Sequence, residues 1–96
     1  MYKEDVLVQF LSGTFHQDIS TPEEALAEFL REEDREWISE VADQIAKFLN
    51  SGISDEEKDA FIRAHTYIYF PYYNIQPVQW LEQVLEQLRK GLDSGG

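Results

Sequence analysis

The chain has 96 residues, a length from which we expect one domain around a single hydrophobic core and no second domain. It contains no cysteine, which excludes disulfide bonds and thiolate metal sites and suits a reducing cytosol. Nineteen acidic residues against eight lysines and arginines give a formal net charge of −11, which argues against nucleic-acid binding through phosphates and favours association with a basic macromolecule.

The beginning of the chain predicts a soluble protein and a short first helix. The first residues are charged, and no stretch of the chain approaches the roughly 20 apolar residues of a membrane span. We therefore expect a cytoplasmic protein with no membrane partner. Residues 4–11 carry apolar side chains at helical spacing, and Gly13 is expected to end this helix. Its apolar residues are Val6, Leu7, Phe10 and Leu11.

The second helix has the clearest start signal in the chain. Thr21 is a good N-cap, Pro22 suits the first helical position, and Glu24 can reach back from the third. The helix that begins here is expected to bury Leu26, Phe29 and Leu30.

Capping signals also predict a third and a fourth helix. Asp34 can cap a helix that runs to about Asn50, but no proline or glycine enforces a break before it, so helices two and three could also be continuous. Ser54 with Glu57 forms a second capping box, which predicts a fourth helix from Asp55. The expected inward residues of the third helix are Trp37, Ile38, Val41, Ile45, Phe48 and Leu49, and those of the fourth are Phe61, Ala64, and His65 or Ile68.

The last third of the chain combines an irregular stretch with the strongest helical pattern. Residues 66–76 show no clean helical periodicity and predict an aromatic linker. Pro77 suits the first turn of a fifth helix, whose apolar residues recur at intervals of three, four and seven. Residues 93–96 are expected to form a frayed, disordered tail. The sequence thus predicts an all-α, single-domain bundle of about five amphipathic helices over residues 1–92.

A compact polar cluster lies between the first two helices. His16 and Asp18 are two residues apart, so they could form half of a metal site or an acid-base pair. No further histidine or cysteine completes a closed site at readable spacing. We interpret the cluster as structural, because such side chains bond the backbone groups left open at helix ends; partner contact is the main alternative. The cluster comprises Phe15, His16, Gln17 and Asp18.

Two further features suggest a binding surface. Five glutamates follow one another at intervals of four, and neighbours of like charge at that spacing repel wherever a helix is continuous. They are either a solvated face or a surface kept repulsive until a cationic protein covers it. We call Glu24, Glu28, Glu32, Glu36 and Glu40 the glutamate ladder. Tyrosine is enriched at binding hot spots, and four tyrosines lie within residues 67–73. We expect two to pack in the core, and Tyr72 and Tyr73 to remain exposed.

Enzyme chemistry has no positive support in the sequence. Serines and threonines have no histidine partner at a readable spacing, and the glycines form no phosphate loop. We predict no catalytic residue, no metal and no cofactor.

Several motifs resemble one family. The run from Leu11 to Asp18, LSGTFHQD, the helix start TPEEA from Thr21, and the segment LNSGISDEE from Leu49 are similar to those of the immunity proteins of bacterial contact-dependent growth inhibition. The most specific piece is FHQD at this distance from TPEE. The resemblance covers roughly residues 7–92.

The resemblance implies a function as well as a fold. Members bind the toxin domain at the C-terminus of a large cell-surface effector, often a nuclease, and inactivate it in the cytoplasm without chemistry. The expected partner is therefore a basic cognate toxin domain, contacted by the glutamate ladder with Tyr72 and Tyr73. A generic acidic adaptor or structural domain is the alternative, and a small metal-binding enzyme built on His16 and Asp18 is a weaker one.

Overall fold

The computed structural model describes residues 2–16 and 21–94, and in these residues it contains helices and no strand. The helices are α1 (Glu4–Thr14), α2 (Pro22–Glu32), α3 (Arg35–Leu49), α4 (Asp55–Ala64), α5 (Phe70–Tyr73) and α6 (Pro77–Ser94). Five are long and α5 is a single turn, so the predicted all-α bundle is confirmed.

The core lies between α3 and α6, which share the largest interface in the molecule. Helix α6 also packs against α4 and α2, while α1 packs against α3 and α2. The Cα radius of gyration is 12.6 Å. A compact domain of this length is expected to have a radius of about 12.5 Å, so the helices close around one core.

Side-chain caps fix two of the predicted helix starts. Thr21 Oγ1 accepts a hydrogen bond from the Glu24 backbone N–H at 3.1 Å. Ser54 Oγ accepts one from the Glu57 backbone N–H at 3.2 Å. Each bond satisfies a donor that the first turn of a helix leaves open, and both predicted starts are confirmed.

Two extended residues separate α2 from α3. Glu33 has ψ 155° and Asp34 has ψ 144°, so the two helices are not continuous. Asp34 occupies the predicted N-cap position, but its side chain makes no capping hydrogen bond. The break therefore depends on the way the apolar faces of the two helices pack, and not on a local cap.

The prediction that Gly13 ends the first helix is wrong. Helix α1 continues through Gly13 to Thr14, and the Phe15 N–H closes it by donating to the Leu11 carbonyl at 3.0 Å. Gly13 does not have a positive φ. It therefore does not provide the left-handed residue with which a glycine usually stops a helix.

The inward face of α4 also differs from the prediction at one position. Ala64 is exposed, whereas Ile62 is fully buried. Lys58 and Ile62, four residues apart, set the buried stripe. Phe61 and His65 are half-buried beside it, and His65 Nδ1 lies 2.8 Å from the Phe61 carbonyl oxygen.

Helix α6 carries the predicted apolar face and extends to Ser94, so it includes the first two residues of the expected tail. Residues 95–96 lie outside the described part of the chain. Apolar residues that α6 adds to the core are Trp80, Leu81, Val84, Leu85 and Leu88, with Val78 and Leu92 partly buried against it.

A side chain from α4 caps the start of α6. Asp59 Oδ1 accepts a hydrogen bond from the Val78 backbone N–H at 3.0 Å, across 19 residues of sequence. We expect Asp59→Ala to lower the free energy of unfolding by about 0.5–2 kcal/mol, because this N–H then loses its partner. Asp59→Asn keeps an oxygen acceptor and should recover at least half of the loss. Urea denaturation of both variants checks the assignment, and an alanine variant as stable as the wild type would refute it.

Candidate partner-binding surface

The polar connector between α1 and α2 begins with a core residue. Phe15 is completely buried, and its ring meets those of Phe10 at 5.5 Å and Trp80 at 4.8 Å between centroids, both edge to face. Its carbonyl oxygen accepts a hydrogen bond from the Tyr67 N–H at 2.9 Å. The connector is thus fastened both to the core and to the segment that follows α4.

The rest of the predicted polar cluster is less fully described. His16 is exposed, and Gln17 and Asp18 lie outside the described residues. A structural role for these three side chains therefore stays a prediction. His16 lines a shallow depression of about 160 Å³ with two glutamates of the ladder, Glu28 and Glu32.

The glutamate ladder is divided between two helices. Glu24, Glu28 and Glu32 are exposed on α2, whereas Glu36 and Glu40 belong to α3. Because the chain is extended at residues 33–34, Glu32 and Glu36 lie on different helices and are not neighbours on one helix face. The break removes one of the repulsive contacts that a continuous helix would hold.

Within the described residues, Glu40 is the member of the ladder whose side chain has a hydrogen bond and an ion pair. Its Oε1 accepts a hydrogen bond from Gln44 Nε2 at 3.0 Å and lies 3.9 Å from Lys3 Nζ. Gln44 is buried, and its Oε1 accepts from the Lys3 backbone N–H at 2.6 Å. Glu40 thus helps to fix the start of α1 against α3.

The α3 part of the ladder lines a groove beside the end of α6. The groove has a volume of about 650 Å³, and Glu36 and Glu40 share it with Asp43 and Asp93. Arg35 crosses from α3 to α6, where its Nη2 donates to the Leu92 carbonyl oxygen. The two parts of the ladder therefore face different depressions.

The tyrosines near α5 are more exposed than predicted. The prediction that two of them pack in the core is wrong, because the exposed fractions are 70% for Tyr67, 71% for Tyr69, 78% for Tyr72 and 38% for Tyr73. The expected exposure of Tyr72 and Tyr73 is confirmed. We call these four residues the tyrosine patch.

Alternation of buried and exposed side chains exposes two members of the patch, Tyr67 and Tyr69. Thr66 and Phe70 are buried and Ile68 is half-buried, while the tyrosines between them point outward. Alternation at intervals of two is the signature of an extended chain. The sequence TYIYF carries this alternation, but without a second strand to pair with it the pattern does not by itself predict an extended segment.

A short turn then carries the chain into α6. Helix α5 begins at Phe70, has Pro71 in its first turn and ends at Tyr73. Asn74 follows it as a left-handed residue with φ 54° and ψ 44°. Asparagine tolerates this conformation better than most residues. The linker predicted at 66–76 is therefore wrong over 70–73, where the turn is helical.

Within residues 2–16 and 21–94, no group of three or more histidine, aspartate or glutamate side chains is placed to hold a metal ion. No helix in the same part of the chain combines the length and the apolar character that crossing a membrane requires.

Comparison with known proteins decides the family. A family model described as CdiI immunity protein matches residues 4–88. The chain belongs to the CdiI immunity protein family. The resemblance found in the sequence is confirmed, and the match extends from α1 into α6. Searches of curated proteins and of solved structures gave no significant match.

Membership of the CdiI family gives this surface its general role. A CdiI immunity protein neutralises a toxin, and the family suggests that it does so without enzymatic chemistry. The glutamate ladder and the tyrosine patch both lie within the matched residues. Both are surface features that a partner protein could recognise.

Proposed function

We propose that this immunity protein binds the C-terminal toxin domain of a contact-dependent growth inhibition effector in the cytoplasm and blocks its active or substrate-binding site. We also propose that the toxin is a basic nuclease. The observation that supports this most directly is the formal net charge of −11, with four exposed glutamates on α2 and the start of α3.

Electrostatics connects that charge to a nuclease. A site that holds a nucleic-acid backbone must carry lysine and arginine to neutralise phosphates. Exposed carboxylates attract the same groups, so an acidic protein is drawn to such a site and can cover its mouth, which keeps the substrate out. Attraction between the two proteins also raises the association rate, which reaches about 10⁸–10⁹ M⁻¹s⁻¹ in strongly steered complexes at low salt.

The ladder and two of the tyrosines are the contact residues that we propose. Glu24, Glu28 and Glu32 form the continuous acidic stretch on α2, and Tyr72 and Tyr73 supply exposed aromatic surface. Their ring centroids are 5.0 Å apart in an edge-to-face arrangement. Tyrosine contributes large contact area with few rotatable bonds, which suits a tight interface.

Co-expression tests the proposal. The chain is produced together with the toxin domain encoded immediately upstream of it, and the expected result is restored growth and a stable complex of the two proteins. Purified toxin domain should degrade DNA or RNA, and an equimolar amount of this protein should stop the degradation.

Two results would count against the proposal. The absence of both growth rescue and complex formation would refute toxin binding as a whole. A stable complex in which the toxin still binds its nucleic-acid substrate would refute the blocking mechanism and place the contact away from the toxin's active site. Unrelated proteins of matching charge, an acidic one in place of this chain and a basic one in place of the toxin domain, serve as controls for non-specific charge pairing.

A further inference from the structure

The tyrosine patch lies in a part of the chain that carries no charged residue. Aspartate, glutamate, lysine and arginine make up 28% of the sequence, yet none occurs between Arg63 and Glu82. The centres of protein interfaces show the same composition, because charged residues are depleted there while tyrosine is enriched. The patch therefore differs in composition from the glutamate ladder.

The patch is held in place before any partner arrives. The Tyr67 N–H is bonded to the Phe15 carbonyl oxygen at 2.9 Å, and the Tyr72 N–H donates to the Tyr69 carbonyl oxygen at 3.1 Å. Phe70 lies between the exposed tyrosines and is buried against Trp80, with ring centroids 5.5 Å apart. A surface that is already ordered loses less conformational entropy on binding.

A cavity adjoins the patch on the side of α6. It has a volume of about 390 Å³, and the residues that line it include Arg63, Phe70, Pro71, Asn74 and Ile75. Hot spots are enriched in tyrosine and arginine and lie beside pockets that exclude water. The cavity gives a partner side chain a place to enter next to the exposed rings.

We infer that the tyrosine patch, including Tyr67 and Tyr69, is the short-range contact that keeps the toxin bound, whereas the glutamate ladder acts mainly on the rate of encounter. This inference rests on the proposed function. Charged groups at an interface rim act chiefly through the association rate, while buried aromatic anchors act through the dissociation rate.

The net charge identifies the occupant of the patch as a cationic protein domain. A second copy of the chain would bring another −11 charges to the contact, and anionic lipid or nucleic acid would be repelled in the same way. A basic toxin domain is attracted over a distance and can then place an uncharged part of its surface on the tyrosines.

Matched double variants separate the two roles. Tyr69→Ala/Tyr72→Ala removes two rings that are 71% and 78% exposed, so the fold should be unaffected. Glu28→Gln/Glu32→Gln is the control that removes two charges from α2. Binding to the toxin domain encoded immediately upstream is measured by surface plasmon resonance at two salt concentrations, with thermal unfolding of each variant as the test of folding.

The two variants should change different rate constants. For the tyrosine variant we expect a dissociation rate constant at least about 10-fold higher and an association rate constant within about 3-fold of the wild type. For the glutamine variant we expect slower association, with the difference shrinking at high salt, and little change in dissociation.

Three results would overturn the inference, and they are distinguishable from one another. If the wild-type protein binds and the tyrosine variant dissociates from the toxin at the same rate, the role of the patch is refuted but the proposed function is not. Wild-type protein that does not bind refutes the proposed function together with the inference. Self-association in sedimentation, abolished by the tyrosine variant, assigns the patch to a contact between copies of this chain.

Discussion

Replacing Phe15 by alanine is expected to lower the free energy of unfolding by about 3–5 kcal/mol, the usual cost of removing a fully buried phenylalanine ring. The ring is completely buried and contacts Phe10 and Trp80, so the substitution leaves a cavity between α1 and α6. For a domain of this size, the melting temperature should fall by at least about 12 °C. Urea denaturation and differential scanning calorimetry measure the two quantities.

Two controls show that the effect comes from the buried ring. Phe15→Leu keeps much of the volume and should cost less than about 1.5 kcal/mol. Tyr67→Ala removes an aromatic ring from the segment bonded to Phe15, but that ring is 70% exposed, so its stability change should stay within about 0.5 kcal/mol. Equal losses for Phe15→Ala and Tyr67→Ala would contradict the assignment of Phe15 to the core.

The second large effect is expected at Lys58, the one lysine whose side chain the described structure buries. Its Nζ donates to the Leu49 carbonyl oxygen at 2.8 Å, at the end of α3, and its side chain is 8% exposed. Lys58→Met keeps the length of the apolar stem but removes the donor. We expect a loss of about 1.5–3 kcal/mol, because a charge-assisted hydrogen bond to an open helix carbonyl disappears.

The ion pair of Lys58 is expected to contribute little. Asp55 Oδ1 lies 4.0 Å from Nζ, and the Asp55 side chain is 86% exposed. Exposed pairs of this kind are usually worth less than about 1 kcal/mol. The loss caused by Lys58→Met should therefore be nearly the same in an Asp55→Asn background, as measured by a double-mutant cycle in urea. A loss that vanishes in that background would show that the ion pair dominates.

Local chemistry explains why most helix boundaries were predictable. Thr21 and Ser54 cap their helices through their own side chains, so the signal and its physical cause lie within three residues of each other. The separation of α2 from α3 could not be decided in this way. No side chain caps the start of α3, and the break depends on packing that only the folded chain supplies.

The wrong predictions have the same origin. Glycine often ends a helix, but it does so only when its backbone adopts a positive φ. The sequence does not specify that angle, and Gly13 does not adopt it. Ile62 rather than Ala64 faces the core because the orientation of α4 is set by its contacts with α6. The rotation of α4 about its own axis therefore cannot be predicted without knowing which helices it packs against.

The candidate surface was only partly accessible to sequence reasoning. Spacing and composition were enough to predict the ladder and the exposure of Tyr72 and Tyr73. The outward position of Tyr67 and Tyr69 was missed, although the alternation from Thr66 to Phe70 contained it. Long-range bonds such as that from the Tyr67 N–H to the Phe15 carbonyl join residues far apart in the chain and leave no local signal.

The buried contact between Phe70 and Trp80 also provides an intrinsic spectroscopic signal. Trp80 is one of two tryptophans, is 9% exposed, and touches the rings of both Phe15 and Phe70. An indole held among rings at fixed angles gives sharp near-ultraviolet circular dichroism. Near-ultraviolet ellipticity is therefore sensitive to the packing of Trp80 against Phe15 and Phe70, and no attached dye is needed to follow it.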